Sequence, residues 1–217
     1  MREAYYDELE GVFDDLAEIT KMVEEAVQSA TQALLTGDAE LAERVISADA
    51  AIDSRREKVE NDAFNLLSLQ QPVARDLRTI VAALRMVSEL ERMGDLAEHV
   101  AKVARLRVPG LAVPETLRPT MTRMSTIALE MVGRLRVVIT DRDVSAAARL
   151  AEIDEEMDKL RRLNFTELLR ADWSHGVEAA VDVALLGRYY ERLADHAVAV
   201  ANRVVYVVTG DFPVAGV

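Results

Sequence analysis

Two acidic motifs of the form Glu-Arg-x-x-Asp lie one hundred residues apart in this sequence. The first begins at Glu91 and the second at Glu191. In a helix, the two carboxylates of such a motif share a face, because side chains four positions apart are neighbours. Paired carboxylates offer hard oxygen ligands to Mg²⁺, Mn²⁺, Ca²⁺ or iron. Metal binding is therefore the first chemistry that these residues predict.

A second acidic pair precedes each motif. Asp49/Asp53 and Asp154/Asp158 are 105 residues apart. If the helices that carry a pair and a motif are antiparallel neighbours, four carboxylates converge in each half of the chain. The predicted metal ligands are therefore Asp49, Asp53, Glu91, Asp95, Asp154, Asp158, Glu191 and Asp195. Weaker candidates on the same helical faces are Glu98, His99 and Asn202.

The alternative interpretation of each pair is solvated surface charge. The chain has 38 acidic residues among 217, so a single pair at this spacing arises several times by chance. The position of the pairs argues for more. An apolar series that starts at Leu77 and Val81 continues on one helical face into Glu91 and Asp95. Carboxylates within an apolar stripe are costly unless they pair with cations or bind metal.

An arginine follows the glutamate in both motifs. Arg92 and Arg192 stand one residue further along, about 100° around the helix, and need not touch a bound metal. We interpret them as ion-pair partners on the flank of the acidic face, or as contacts for a partner protein.

Helices position all of these residues. Apolar residues recur at three- and four-residue spacing, which is the helical period. Thr36-Gly37-Asp38 predicts a tight turn with a C-terminal glycine and an N-capping aspartate, and Gln71-Pro72 predicts the start of a third helix. The expected helices run from about Tyr6 to Thr36, Ala39 to Leu69, Pro72 to Arg105, Thr120 to Ile139, Val144 to Arg170 and Gly176 to Thr209.

The repeated motifs and the helix order predict an all-α fold made of two tandem three-helix bundles. The bundles are related by internal duplication and packed side by side. We place the first repeat at residues 1–107 and the second at residues 115–217. The linker at 108–114 belongs to the only proline cluster of the chain.

Composition excludes several classes of protein. The net charge of −12 argues against nucleic-acid binding. The absence of cysteine removes disulfides, thiolate zinc sites and iron–sulfur clusters. The N-terminal stretch lacks the apolar core of a signal peptide, and no apolar run is long enough to span a bilayer, so we expect a cytoplasmic protein.

An enzyme is not expected. No glycine-rich phosphate loop is present. A di-iron oxidase would need Glu-x-x-His pairs, and no glutamate stands three residues before His99, His175 or His196. Two other functions stay open at this point: a metal-handling protein, and a structural interaction bundle whose acidic pairs are only surface charge.

The sequence resembles the PhoU family of phosphate-uptake regulators. The resemblance covers nearly the whole chain and is carried by three segments. These are LSLQQPVARDLR at residues 67–78, ERMGD at residues 91–95 and ERLADH at residues 191–196. The second motif departs from the family pattern, because Ala194 stands where a glycine is usual and Ala199 where an asparagine is frequent.

The resemblance implies a function. Proteins of this family are adaptors in the cytoplasm that contact the ATPase subunit of the phosphate ABC transporter and a sensor histidine kinase, and damp both when phosphate is plentiful. It also implies a homodimer, contact with the membrane only through partners, and multinuclear metal sites in the acidic motifs, holding iron, manganese, magnesium or zinc. The departures lie in the second motif, so the first site follows the family pattern more closely than the second.

Overall fold

Six long α-helices and one short 3₁₀ turn make up the fold. The computed structural model describes residues 2–70 and 72–211, with side chains of 2–4, 69 and 70 left aside. Within this range the helices are α1 (Arg2–Thr36), α2 (Ala39–Gln70), α3 (Arg75–Arg107), α4 (Arg118–Asp141), α5 (Val144–Leu168) and α6 (Gly176–Thr209), with the 3₁₀ turn at Glu115–Leu117. The predicted all-α fold with two three-helix repeats is confirmed.

The first turn of the first repeat has the predicted chemistry, and the second repeat has a similar turn. Gly37 has a φ of +70°, a conformation that glycine adopts without strain. Asp38 then caps α2 by accepting a hydrogen bond from the backbone N–H of Leu41 at 2.9 Å. In the second repeat Arg142 takes the left-handed position, with a φ of +52°, and Asp143 caps α5 through Ser145 and Ala146.

Other boundaries differ from the expectation. Pro72 does not open α3, which begins at Arg75 after a connection that includes Val73 and Ala74. α4 begins earlier than expected, at Arg118, and α5 ends earlier, at Leu168. Gln71 and the two ends of the predicted repeats, at residue 1 and residues 212–217, lie outside the described residues, and the repeat limits stay a prediction.

The two bundles pack through α3 against α6 and α1 against α4. α3 and α6 are antiparallel: Arg78 near the start of α3 donates to the carbonyl of Val207 at 3.3 Å, whereas Arg107 at the other end of α3 reaches Asp182. Equivalent positions of α3 and α6 are one hundred residues apart in the sequence. In the antiparallel register, equivalent residues lie level with each other only near Met93 and Leu193, and the helices cross there. The repeats are therefore related by a pseudo-twofold axis through that crossing.

The core lies between these four helices. The apolar face that the sequence predicts for α1 is buried, with Leu16, Ile19 and Val23 fully inaccessible to solvent. α4 contributes methionines and aliphatic residues in the same layer, including Met121, Ile127 and Met131. At typical transfer energies of about 25 cal/mol per Å² of apolar surface, such burial is the main stabilising term of the fold.

A buried ion pair joins the bundles at one end. Arg107 donates to both carboxylate oxygens of Asp182, at 2.5 and 3.0 Å, and also contacts Glu178. The side chain of Asp182 is only 6% exposed. An ionised carboxylate in that position depends on its arginine, because the charge has lost most of its contact with water.

Arg107→Met should therefore lower the free energy of unfolding by clearly more than the loss of an exposed ion pair does, since it leaves the Asp182 carboxylate buried and unpaired. Urea denaturation followed by circular dichroism measures the change. The matched control is Arg105→Met, which removes the exposed ion pair of Arg105 with Glu43 and should cost less than about 1 kcal/mol. Equal losses in the two variants would contradict this account of the bundle contact.

Candidate functional site

The first candidate site lies where α2 and α3 approach closely. Gly94 allows this approach, because a Cβ at that position would lie 2.9 Å from Cδ1 of Ile52 and 3.3 Å from a carboxylate oxygen of Asp49. The contact sets the register of the two helices, so that the Asp49/Asp53 pair on α2 lies level with the Glu91/Asp95 pair on α3.

Electrostatics show that the predicted carboxylates of the first repeat are close together. The pKa of Asp49 is raised to about 6, first by burial and then by the negative charges around it. The pKa of Glu91 is also raised, again by burial first and next by Asp95. The carboxylates that act on Asp49 are those of Glu98, Asp95, Asp53 and Glu91, so the four predicted ligands and the weaker candidate Glu98 form one cluster.

Arginines lie against this first cluster. Arg92 donates to a carboxylate oxygen of Asp95 at 2.8 Å, and its Nε lies 3.5 Å from Glu91. Arg56 lies 3.8 Å from Asp53. The Arg92 side chain is 59% exposed, so these ion pairs are at the surface and contribute little to stability. Arg92 thus has the ion-pair role predicted for it.

The second cluster, between α5 and α6, has the same plan. The pKa of Asp154 is raised to about 6, first by burial and then by Asp195, Asp158 and Glu191. One carboxylate oxygen of Asp154 is buried and has no hydrogen-bond partner. A buried acceptor without a donor is costly, and ligation or protonation would satisfy it.

Glu191 distinguishes the second cluster from the first. Its side chain is 7% exposed, and Arg161 on α5 lies 3.3 Å from its carboxylate. Arg188, one turn earlier on α6, contacts the other carboxylate oxygen. Glu191 is therefore neutralised from two sides. Arg192 is exposed, and within residues 2–70 and 72–211 no ion pair connects it to this cluster.

The clusters do not form a ready-made metal centre. Across the described part of the chain, no three aspartate, glutamate or histidine side chains are arranged as a group that could hold a metal ion. Five of the eight carboxylates contact arginines instead: Asp53, Glu91, Asp95, Asp158 and Glu191. The role of the eight acidic residues as metal ligands stays a prediction, although the structure brings them together in two groups of four.

Two of the weaker candidates lie elsewhere. The His99 ring stacks on Tyr189 of α6, with 5.3 Å between ring centroids, so it faces the contact between the bundles. His196, which the sequence set apart from the site, lies at the same contact, 2.6 Å from Glu89. Asn202 is half-buried on α6, and by the α5/α6 register it lies level with Ala147, more than one turn beyond the cluster.

The interpretation of the apolar stripe on α3 was wrong. Leu77 and Val81 are 42% and 39% exposed, so the series that leads into Glu91 and Asp95 runs along the surface and not through the core. The carboxylates are crowded because α2 lies beside them, not because the stripe is buried. In α6, by contrast, Glu191 and Val205 are buried.

Sequence reasoning also missed residues that matter to the site. Arg188 had a signal, because it stands three residues before Glu191 and such positions meet on a helix. Arg161 belongs to another helix and had none. A cavity of about 260 Å³ beside Asp49, lined by Met22, Arg44 and Ile52 among others, also depends on packing of α1 against α2 that no local pattern reveals.

Comparison with known proteins identifies the family. The family model described as the PhoU domain matches residues 16–104 and 121–204, one match in each repeat. The chain belongs to the PhoU family. This family is non-enzymatic, so the expectation that the chain is not an enzyme is confirmed.

Similar proteins cover the whole chain. It is 46% identical over 213 residues to the phosphate-specific transport system accessory protein PhoU homolog 1 of Mycobacterium leprae, covering 98% of this chain and 96% of that one. Homolog 2 of Mycobacterium tuberculosis is 47% identical, covering 98% and 100%. The crystal structure of PhoU from Pseudomonas aeruginosa superposes with a TM-score of 0.88 at 27% identity, covering 95% of this chain and 100% of that one.

The raised pKa values predict a pH dependence of stability. The folded-state pKa of about 6 for Asp49 and for Asp154 lies above the unfolded-state value of 3.8. At a pH between these two values, the folded chain therefore binds more protons than the unfolded chain does. Stability from these groups therefore falls as pH rises from about 4 to 6. Asp49→Asn and Asp154→Asn should each stabilise the chain at pH 7, by about 1 to 2 kcal/mol after allowing for solvent, and not at pH 4.

Urea denaturation at a series of pH values, with a chelator present, measures this effect. Glu155→Gln is the control, since the Glu155 side chain is 75% exposed and lies outside the cluster. A stabilisation of the same size at pH 4 and pH 7 would show that the carboxylates are not destabilised by their surroundings.

Proposed function

We propose that the chain is an accessory regulator of phosphate uptake. It would couple the ATPase subunit of the phosphate ABC transporter to a sensor histidine kinase by direct contact, and damp both when phosphate is plentiful. The observation that carries the proposal is the match of both repeats to the PhoU domain, together with relatives at 46% and 47% identity that bear the name of phosphate transport accessory proteins.

A contact mechanism is supported by the shape of the molecule. The helices form a continuous packed core, and the charged clusters lie on its surface and not in a deep cleft. No helix of the described residues is long and apolar enough to cross a membrane. We place the protein in the cytoplasm, reaching the membrane through its partners, and expect it to form a homodimer.

We also propose that the acidic clusters bind metal ions. The residues fit, because all eight predicted ligands supply oxygen and one Asp154 oxygen lacks a partner. Burial and, after it, the neighbouring negative charges raise the pKa of Asp49 and of Asp154. A bound cation would supply the positive charge that the arginines now supply in part. The first cluster fits better, because Arg92 is exposed and Glu91 is less enclosed than Glu191.

The family function predicts a phenotype. In the source organism, deletion of the gene should raise expression from a phosphate-starvation promoter in phosphate-rich medium, because the brake on the kinase is lost. Reintroducing the unsubstituted gene should restore repression. An Asp95→Asn/Asp195→Asn chain should restore it only in part, and Glu155→Gln should restore it fully. Normal repression in the deletion strain would count against the proposed function.

Metal binding is tested separately. The purified chain, stripped with a chelator and titrated with Mn²⁺ or Fe²⁺ in a calorimeter, should bind with an affinity that falls about tenfold or more in Asp49→Asn/Asp95→Asn. Asp154→Asn/Asp195→Asn should weaken binding less, and Glu155→Gln should leave it unchanged. Elemental analysis after dialysis provides the stoichiometry. Equal binding by all four proteins would assign the carboxylates to surface charge.

A further inference from the structure

One broad surface of the molecule carries the exposed sides of α3 and α6. These helices lie side by side, while α1 and α4 pack against each other beneath them, so the exposed sides of α3 and α6 point the same way. We define the α3/α6 face as this surface together with the adjoining sides of α2 and α5. Both acidic clusters lie on it, one at each side of the α3/α6 pair.

Each end of the α3/α6 face presents exposed apolar side chains. On the first repeat Phe64, Leu77 and Val81 are 59%, 42% and 39% exposed. The α2/α3 register places Phe64 level with Val81. Single exposed apolar residues are common and need no explanation. Three that share one end of a face form a patch of the kind that marks an interaction site.

The second repeat has the same patch. Leu169, Val177 and Val181 are 81%, 80% and 50% exposed. They stand at the positions that match Phe64, Leu77 and Val81, at the same spacings of 105 and 100 residues that relate the acidic motifs. The two repeats differ at many other surface positions, but all three matched positions are apolar and exposed in both.

The pseudo-twofold axis determines how the patches are arranged. Because α3 and α6 cross near Met93 and Leu193, the two patches lie at opposite ends of the face and at equal distances from the axis. A single helix or a small molecule would use one end only. A partner that uses both ends in the same way must have a twofold axis of its own, as a homodimer does.

Charge argues against a second copy of this chain as that partner. Two copies placed face to face through the α3/α6 face would bring acidic clusters towards acidic clusters, and each chain has a net charge of −12. Like charges across an interface are unfavourable. A partner with basic side chains near its twofold axis would instead complement the four carboxylates on each side of the axis.

We propose that the α3/α6 face binds a homodimeric protein, with an apolar segment of each subunit on one patch and basic side chains over the acidic clusters. The complex then contains two partner subunits for each α3/α6 face, whether the chain is a monomer or a homodimer that associates through another surface. This inference rests on the proposed function, since its test uses the partners named there: the ATPase subunit of the phosphate transporter and the sensor histidine kinase, the latter in lipid nanodiscs.

The experiment measures affinity and stoichiometry for each partner, by titration and by analytical ultracentrifugation. Val81→Glu and Val181→Glu place a charge in one patch each, and both side chains are exposed, so the variants should fold. Each should weaken binding to a homodimeric partner about tenfold, and the double variant about a hundredfold, because the two patches act independently. Val137→Glu is the control, as Val137 is 47% exposed on α4, away from the face.

The outcomes separate this inference from the proposed function. One chain per partner dimer, with similar losses from the two single variants, supports the inference. Binding that depends on one patch only, or that has one chain per partner subunit, overturns it but leaves the proposed function standing. Self-association of the chain that both glutamate variants abolish would make a second copy the occupant and also overturn it. Failure of the unsubstituted chain to bind either partner overturns the contact mechanism of the proposed function itself.

Discussion

The central constraint on this fold is the crowding of four carboxylates between α2 and α3, and of four more between α5 and α6. Carboxylates between two packed helices lose hydration and also repel one another, which raises the pKa of Asp49 and Asp154 to about 6. Nothing within a cluster offsets this cost completely. The burial of apolar side chains between α1, α3, α4 and α6 offsets it, so the core stabilises a surface that is unfavourable by itself.

The antiparallel crossing of α3 and α6 converts a tandem repeat into a molecule with a pseudo-twofold axis. The repeats have kept some features and changed others across that axis. Both keep the acidic pairs and the exposed apolar ends. They differ where the helices of each cluster meet. Gly94 in the first repeat corresponds to the buried Ala194 in the second. In the second repeat the glutamate, Glu191, is enclosed by two arginines, one from α5 and one from α6. The two clusters are therefore not equivalent, although each consists of four carboxylates.

Local patterns in the sequence were sufficient to predict the helices, the turn at Gly37 and the grouping of the acidic pairs. Each depends on residues within one or two turns of a helix, or on the repeat. The exposure of Leu77 and Val81 could not be predicted this way, because an apolar stripe has the same period on a core face and on a binding face. His99 was assigned to the wrong side for a related reason. It shares a helical face with Glu91, but Tyr189 of the other repeat determines where its ring lies.

The arginines determine how readily an incoming cation could replace a guanidinium group in each cluster. In the first cluster the neutralising guanidinium of Arg92 is exposed and makes pairs of little energetic value, so an incoming cation has little to displace. In the second, the carboxylate of Glu191 is nearly enclosed and contacts two guanidinium groups, and exchange must break both contacts in a poorly hydrated site. If metal ions or basic side chains of a partner bind as proposed, the first cluster binds them at a lower concentration. The second cluster mainly keeps its arginine contacts. On that proposal, an internal duplication would have produced two similar sites with different thresholds.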